Sequence, residues 1–426
     1  MMVLDERPRY PMTFCIDCTL RGRMDPLVAE VALDLAVRCH PLLRAGLVGS
    51  NRDLAWKAVE NPGSGLKLEG TPGLGLETRK GENVRLFLDL QEDISHLVFE
   101  FHHAATDGLG GRDLIWDFLE AYDALHSQRP PQLLPRDPDL LRDRLRRPKK
   151  PKRSGRPTAR PSLLRALRVA WKFVTHVPTR LVFHTAEERS ERPPFLRHLF
   201  SKEESERLTR CARRRRCTVN DLGVALLFRT LAQWQYRNDR FSPHSNLRIL
   251  VPTSLRDRSD QGLGAANRMA YAFFNQNQQA ALGGLSQVLS GVKADKSFIR
   301  DFRPDVIFLR VIDGVYRMGL LKPFLRLPYP YSTAVLTNLG EVTPPGGCEV
   351  ANLKLEAMGG TPPVRPGTGA AFALMKCDGK LSLSLRCDPN LCGADEEREL
   401  LELYLYNWRA LLSDRTTWPA PDEQPT

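Results

Sequence analysis

The residues best equipped for chemistry in this 426-residue chain stand together at Phe101-His102-His103-Ala104-Ala105-Thr106-Asp107-Gly108. An imidazole with an ordinary pKa of about 6.5 is a poised general base at neutral pH. The bland alternative is a hydrogen-bonded core histidine, and the stretch taken alone leaves both readings open. Adjacent strand residues point to opposite faces, so His102 and His103 do not make a metal pair. Asp107 falls past the turn, where it structures the loop rather than completing a metal site, and no metal is expected. The chain has no HExxH, Walker A or GxGxxG pattern, and Gly346-Gly347 is not followed by Lys-Ser/Thr. A suitably placed Gly-x-Ser-x-Gly elbow is missing too. Cys15-Ile16-Asp17-Cys18 has redox spacing but falls in an expected strand, and Cys377, Cys387 and Cys392 are no stronger candidates.

The elements that must hold this stretch are legible around it. Leu97, Phe99 and Phe101 alternate with Val98, Glu100 and His102, the period of a strand with one buried face. Parity puts His103 on the face of Phe99 and Phe101, and His102 on the other. Leu114, Ile115, Phe118, Leu119, Tyr122 and Leu125 then recur at helical spacing, giving a helix that ends near His126. A first strand is expected over 13–21. A helix follows from Pro26 to about Cys39, capped by Asp25, with an apolar face of Leu27, Val31, Leu35 and Ala36. Strands are expected at 84–90, 195–200, 247–251, 267–274 and 333–336. Strands 372–375 and 381–386 form a hairpin around Asp378-Gly379. Ser201 with Glu204 reads as a capping box, a long apolar helix runs over 222–234, and a terminal helix over 395–412. Residues 359–369 read as a glycine- and proline-rich loop. Strands and helices mix without strict alternation, which predicts an α+β fold in two lobes.

Hydrophobic content of 42% and charged content of 26% are those of an ordinary globular protein. The net charge of +12 is local: between residues 142 and 165, eleven Lys or Arg meet one acid, Asp143. That tract reads as a solvated linker, as a patch attracted to an anionic membrane at about 1 kcal/mol per basic residue, or as a dock for an acidic carrier protein or the phosphates of CoA. Nucleic acid is not expected, because no aromatic residues interleave the tract and no known module accompanies it. An amphipathic helix at 162–183, with Trp171 among Arg165, Arg168 and Lys172, either packs on the domain or lies on a membrane surface. No run of about 18 apolar residues exists, and the charged residues 1–9 do not read as a signal peptide. Nine scattered cysteines in such a chain favour reduced thiols. A cytoplasmic monomer is expected, peripheral on the inner membrane face if the basic tract binds there.

His102-His103-Ala104-Ala105-Thr106-Asp107-Gly108 matches the HHxxxDG motif of the acyltransferase superfamily that uses acyl-CoA or carrier-protein thioesters. That superfamily includes condensation domains, alcohol acetyltransferases, polyketide-associated acyltransferases and wax ester synthases. His40-Pro41-Leu42-Leu43-Arg44, Thr218-Val219-Asn220-Asp221, Pro252-Thr253-Ser254-Leu255-Arg256, Ala266-Asn267-Arg268 and Thr337-Asn338-Leu339-Gly340 resemble its other segments, in the right order. The resemblance covers roughly residues 10–412, and the histidine motif is its specific part.

It implies two chloramphenicol-acetyltransferase-like lobes, each a mixed sheet with flanking helices, and an active-site channel between them. Residues 1–190, with a basic connector at 128–161, would form one lobe and 191–426 the other. His103 would be the general base, Asp107 would pair with Arg256, and His102 and Gly108 would shape the turn. The backbone N–H of Leu109 would face the oxyanion, and Asn267, Thr337 and Asn338 would line the channel. The resemblance also implies acyl-CoA or a phosphopantetheinyl acyl donor as substrate, with no permanently bound cofactor. The acceptor would be an alcohol; the alternatives are an amide-forming condensation and an inactive binding protein. The Asp-Phe-Gly-Trp-Gly motif of the plant branch is missing, and with no adenylation or carrier domain the chain is expected to be freestanding. Residues 359–369 would cross between the lobes.

Overall fold

The computed structural model describes residues 1–50, 53–60, 62–73, 75–134, 136–142, 171, 173, 175–184, 195–327 and 329–413. Its first sheet runs, edge to edge, Glu349–Val350, Leu353–Thr361, Thr13–Arg21, Ile94–His102, Val84–Gln91 and Gly65–Lys67. The second runs Leu196–Leu199, Lys380–Cys387, Ala370–Cys377, Ala334–Glu341, Asn246–Ser254 and Met269–Asn277. A short ribbon pairs Ala45–Val48 with Ala55–Ala58. Each sheet has its own core, so the two-lobed α+β arrangement is the one the chain adopts.

Alternation within the strands makes these cores. Leu97, Phe99 and Phe101 are fully buried with Leu114, Ile115 and Phe118 of the Gly108–His126 helix. Burying each such side chain contributes about 1.5–3 kcal/mol. In the second lobe Leu247, Ile249 and Val251 face the Val219–Arg237 helix, which is buried at every position from Asp221 to Gln235. The expected capping box forms at Ser201 with Glu204, and a second one forms at Thr218 with Asp221. No described helix is long and apolar enough to cross a membrane.

Three expectations need amending. Asp25 caps the Pro26–Arg38 helix as expected, but the buried stripe is Ala29, Ala32, Leu33, Ala36 and Val37, while Leu27 and Val31 are exposed. The small side chains of that stripe let the helix lie close against Gly108–His126. The division at residue 190 is not clean, because Glu349–Val350 and Leu353–Thr361, from the second half, complete the first sheet. Leu263, Ala265 and Ala266 likewise enter the first core. Finally, Gly359-Gly360-Thr361 read as loop yet end a strand. Pairing of Ile16 with Gly360 and Cys15 with Thr361 outweighs the local turn signal. Beyond Arg142 the basic tract lies outside the described residues, as does half of the 162–183 segment.

The lobes meet through ion pairs and close backbone contact. Asp17 of the first sheet pairs with Arg197 of the second, whose Nη2 also lies 2.9 Å from Thr19 Oγ1. Ser382 Oγ donates to Met358 O at 2.6 Å. Gly110, in the first turn of its helix, sits where a Cβ would stand 2.3 Å from Thr106 Oγ1 and 3.0 Å from Ala265 Cα. An alanine at an ordinary helix position gains up to about 1 kcal/mol over glycine. Gly110→Ala is expected to do the reverse, lowering stability by about 1–3 kcal/mol through overpacking, read as a drop in the urea unfolding midpoint at unchanged slope.

Candidate active site

The Ile94–His102 strand ends where two backbone bonds clamp the motif. His102 N–H donates to Asn83 O at 2.9 Å and His103 N–H to Met12 O at 2.8 Å. The chain then turns back, with Ala105 N–H on His102 O at 3.0 Å, and enters the Gly108–His126 helix. The two imidazoles diverge, as strand parity requires. His102 Nδ1 accepts from Ala104 N–H at 3.2 Å, and its Nε2 lies 3.4 Å from the Glu6 carboxylate. His103 turns the other way, against Phe14, with ring centroids 5.0 Å apart.

Backbone contacts fix the tautomer of His103. Its Nδ1 lies 3.0 Å from Thr106 O, an acceptor, and 3.2 Å from Asn267 Nδ2, whose shorter bond goes to His103 O, so the proton is assigned to Nδ1. Asn267 Nδ2 donates to His103 O at 2.8 Å, which fixes the amide orientation because a flipped amide would set two oxygens against each other. Nε2 therefore keeps its lone pair, and no described residue hydrogen-bonds to it. Burial pushes the His103 pKa below its ordinary value, opposed mainly by the charge of Asp107. The ring is neutral at pH 7 and its free nitrogen is basic.

Asp107 ties the turn to both lobes. Oδ1 accepts from Gly110 N–H at 2.9 Å, capping the helix, and lies 3.2 Å from Arg256 Nη2, the pair the motif implied. Oδ2 accepts from Arg268 N–H at 2.8 Å. Arg256 also reaches Ala266 O at 2.9 Å, and Arg268 Nε pairs with buried Asp260 at 2.8 Å. Behind this loop, buried His40 accepts Ala265 N–H on Nδ1 at 2.8 Å, so its Nε2–H donates to Asp117 Oδ2 at 3.0 Å. Burial lowers the His40 pKa, with Asp117 opposing. The His40 segment therefore supports the second-half loop that Asp107 binds. Neither that role nor the grip of Asn267 on His103 was signalled by sequence spacing.

His103, Asp107, Gly108 and Leu109 line a pocket between the lobes. Phe14 and Ile16 form the first-sheet wall, and Pro252, Met269 and Met375 the second-sheet wall. Thr337 and Asn338 line it as expected, and Asn338 Oδ1 accepts Gly340 N–H at 2.8 Å. Asn267 is held beside His103 rather than on the pocket wall. Gly108 lets Leu339 approach, since a Cβ there would stand 2.9 Å from Leu339 Cδ2. With Asp107 capping Gly110, the N–H groups of Gly108 and Leu109 have no hydrogen-bond partner among the described residues. A helix start of this kind favours negative charge. The pocket thus combines a neutral base, unpaired donors and mainly apolar walls.

No protein-family model and no curated protein matches the chain. Solved structures do. The first condensation domain of the CDA synthetase superposes with a TM-score of 0.68 at 15% identity, covering 100% of this chain and 95% of that one. A trichothecene 15-O-acetyltransferase from Fusarium sporotrichioides gives 0.67 at 14%, covering 96% and 94%. Polyketide synthase associated protein 5 from Mycobacterium tuberculosis gives 0.62 at 18%, covering 94% and 93%. The fold is the one that these three proteins share.

Removing the Asp107 carboxylate leaves Arg256 without its carboxylate partner and two backbone N–H groups without acceptors. Asp107→Ala is expected to cost about 3–5 kcal/mol of stability, measured by urea denaturation, against less than half of that for Asn338→Ala, at a half-buried position on the pocket wall.

Proposed function

We propose that this protein is an acyltransferase that moves an acyl group from a thioester, on CoA or on a carrier protein, to the hydroxyl of a small-molecule acceptor. The observation that carries the reading is His103, a buried neutral imidazole with Nδ1 committed to Thr106 O and Nε2 free at the pocket. Nε2 takes the proton of the acceptor hydroxyl as its oxygen attacks the thioester carbonyl. The C–S bond then breaks, and the imidazolium returns the proton to the departing thiolate. Atoms and charge balance within one ternary complex, with no acyl-enzyme. The Gly108 and Leu109 N–H groups are the donors available to the carbonyl oxygen as it gains charge, a contribution of about 3–4 kcal/mol for one such donor. The likeness to an O-acetyltransferase supports the reading at the level of fold. The resemblance of His40 to Arg44 and of Thr337 to Gly340 to the alcohol-acylating branch supports a hydroxyl acceptor.

Thiol release from a series of acyl-CoA donors tests this directly. His103→Ala is expected to lower kcat by about 10²–10⁴-fold with an unchanged circular dichroism spectrum; equal rates would remove the base from the reaction. Product analysis with matched alcohol and amine acceptors should give ester, and amide alone would move the chain to the condensation reading. Protonating His103 abolishes the base, and burial depresses its pKa. The acid limb of kcat/KM should therefore have its midpoint below 6.5, with activity falling as pH drops through it.

A further inference from the structure

The inner face of the second sheet carries the pocket floor beyond the pocket itself. Odd positions 247, 249 and 251 face the helices, so Leu250, Pro252 and Ser254 face the first lobe. The register sets Ser254 opposite Met269, Pro252 opposite Tyr271, and Leu250 opposite Phe273. Met269, Pro252 and Ser254 line the pocket beside His103. One row further along the same face the space is filled: Tyr271, Leu250 and Val335 are buried in an apolar cluster with Val364. The opposite wall behaves alike, since Pro362 lines the pocket and Val364, two residues on, joins the cluster.

What fills the cluster from outside is the N-terminal segment. Met1 and Met2 pack against it, and Phe308 stacks edge-on to Tyr271 with ring centroids 6.1 Å apart. Buried Asp5 pairs with Arg365, which also lies over the Tyr331 ring, 5.1 Å from its centroid. That buried pair pins the Met2–Asp5 turn in place, and Arg7 Nη2 bonded to Leu325 O at 3.2 Å continues the anchor. The apolar floor therefore runs from the pocket wall into this cluster, where Tyr271 stands opposite Pro252 and packs with Leu250, Val335, Val364 and Phe308.

We propose that Tyr271, in the cluster against which Met2 packs, is the stop that sets the depth of the apolar pocket beside His103 and so the length of alkyl chain that the pocket admits. The inference rests on the acyltransferase reading only for what the chain is attached to. Opening one row of side chains on a strand adds about 6.6 Å of depth, on the order of five methylenes.

The test compares wild type, Tyr271→Val and Met2→Ala, each checked for folding by thermal melt. Titration calorimetry with 1-alkanols of four to twelve carbons should show affinity rising with length and then levelling off. The levelling point should move outward by about four to six carbons in Tyr271→Val and by fewer in Met2→Ala. If Tyr271→Val does not fold, Met2→Ala decides the matter. A levelling point unchanged in the folded variants, or no alkanol binding at all, would overturn the proposal. Thiol release across acyl-CoA lengths separates the two readings. A shifted alkanol limit without turnover of any thioester by wild type would remove the acyltransferase reading and leave the stop standing.

Discussion

The Asp107 carboxylate is the constraint on which the active-site geometry depends. It accepts from the first turn of its own helix, from the Arg256 guanidinium and from the Arg268 backbone, three groups on two parts of the chain. Taking such a charge out of water costs several kcal/mol unless each partner is in place. The bonds to charged groups return about 1.5–3 kcal/mol apiece. Strand end, helix start and second-lobe loop therefore settle together or not at all. With the turn fixed in this way, His103 needs only Thr106 O and Asn267 to be held.

This arrangement separates the group that holds the turn from the imidazole that faces the pocket. A carboxylate bonded directly to the imidazole would raise its pKa and favour the imidazolium. Here the acid spends its oxygens on backbone and arginine, and a neutral carbonyl orients the imidazole. The ring stays uncharged in a buried site, the state a base needs before it takes a proton. His40 shows the contrasting design: its Nε2–H meets the Asp117 carboxylate, and its other nitrogen is spent on a backbone N–H. It is a strut, with no free lone pair.

What could be read in the sequence follows the range of the interactions. Strand, turn and helix around His103 are local, and so are the caps at Asp25, Ser201 and Thr218, all of which lie within four residues of their partners. The Asp107–Arg256 pair spans 149 residues and was reached only through the motif resemblance. Asn267 bonds His103 across 164 residues, and His40 bonds Ala265 across 225, with nothing in the spacing to announce either. The Pro26–Arg38 helix offered two stripes to the eye. The larger side chains mark one stripe, whereas close packing buries the stripe of alanines. At Gly359-Gly360 the composition signalled a loop, and pairing with the first strand overrode it.

The strand Leu353–Thr361 carries a consequence for how the protein is made. It covers the outer edge of Thr13–Arg21, yet more than 330 residues separate the two. At about 5–20 residues per second, a ribosome needs on the order of tens of seconds to supply the partner after the first strand has emerged. Through that interval the nascent first sheet presents an open edge of Cys15, Ile16 and Cys18, the kind of edge that templates aggregation. The ordering penalty of so distant a pairing also makes it a late step in folding. The first lobe is thus begun early in translation and completed only after most of the second lobe has been made.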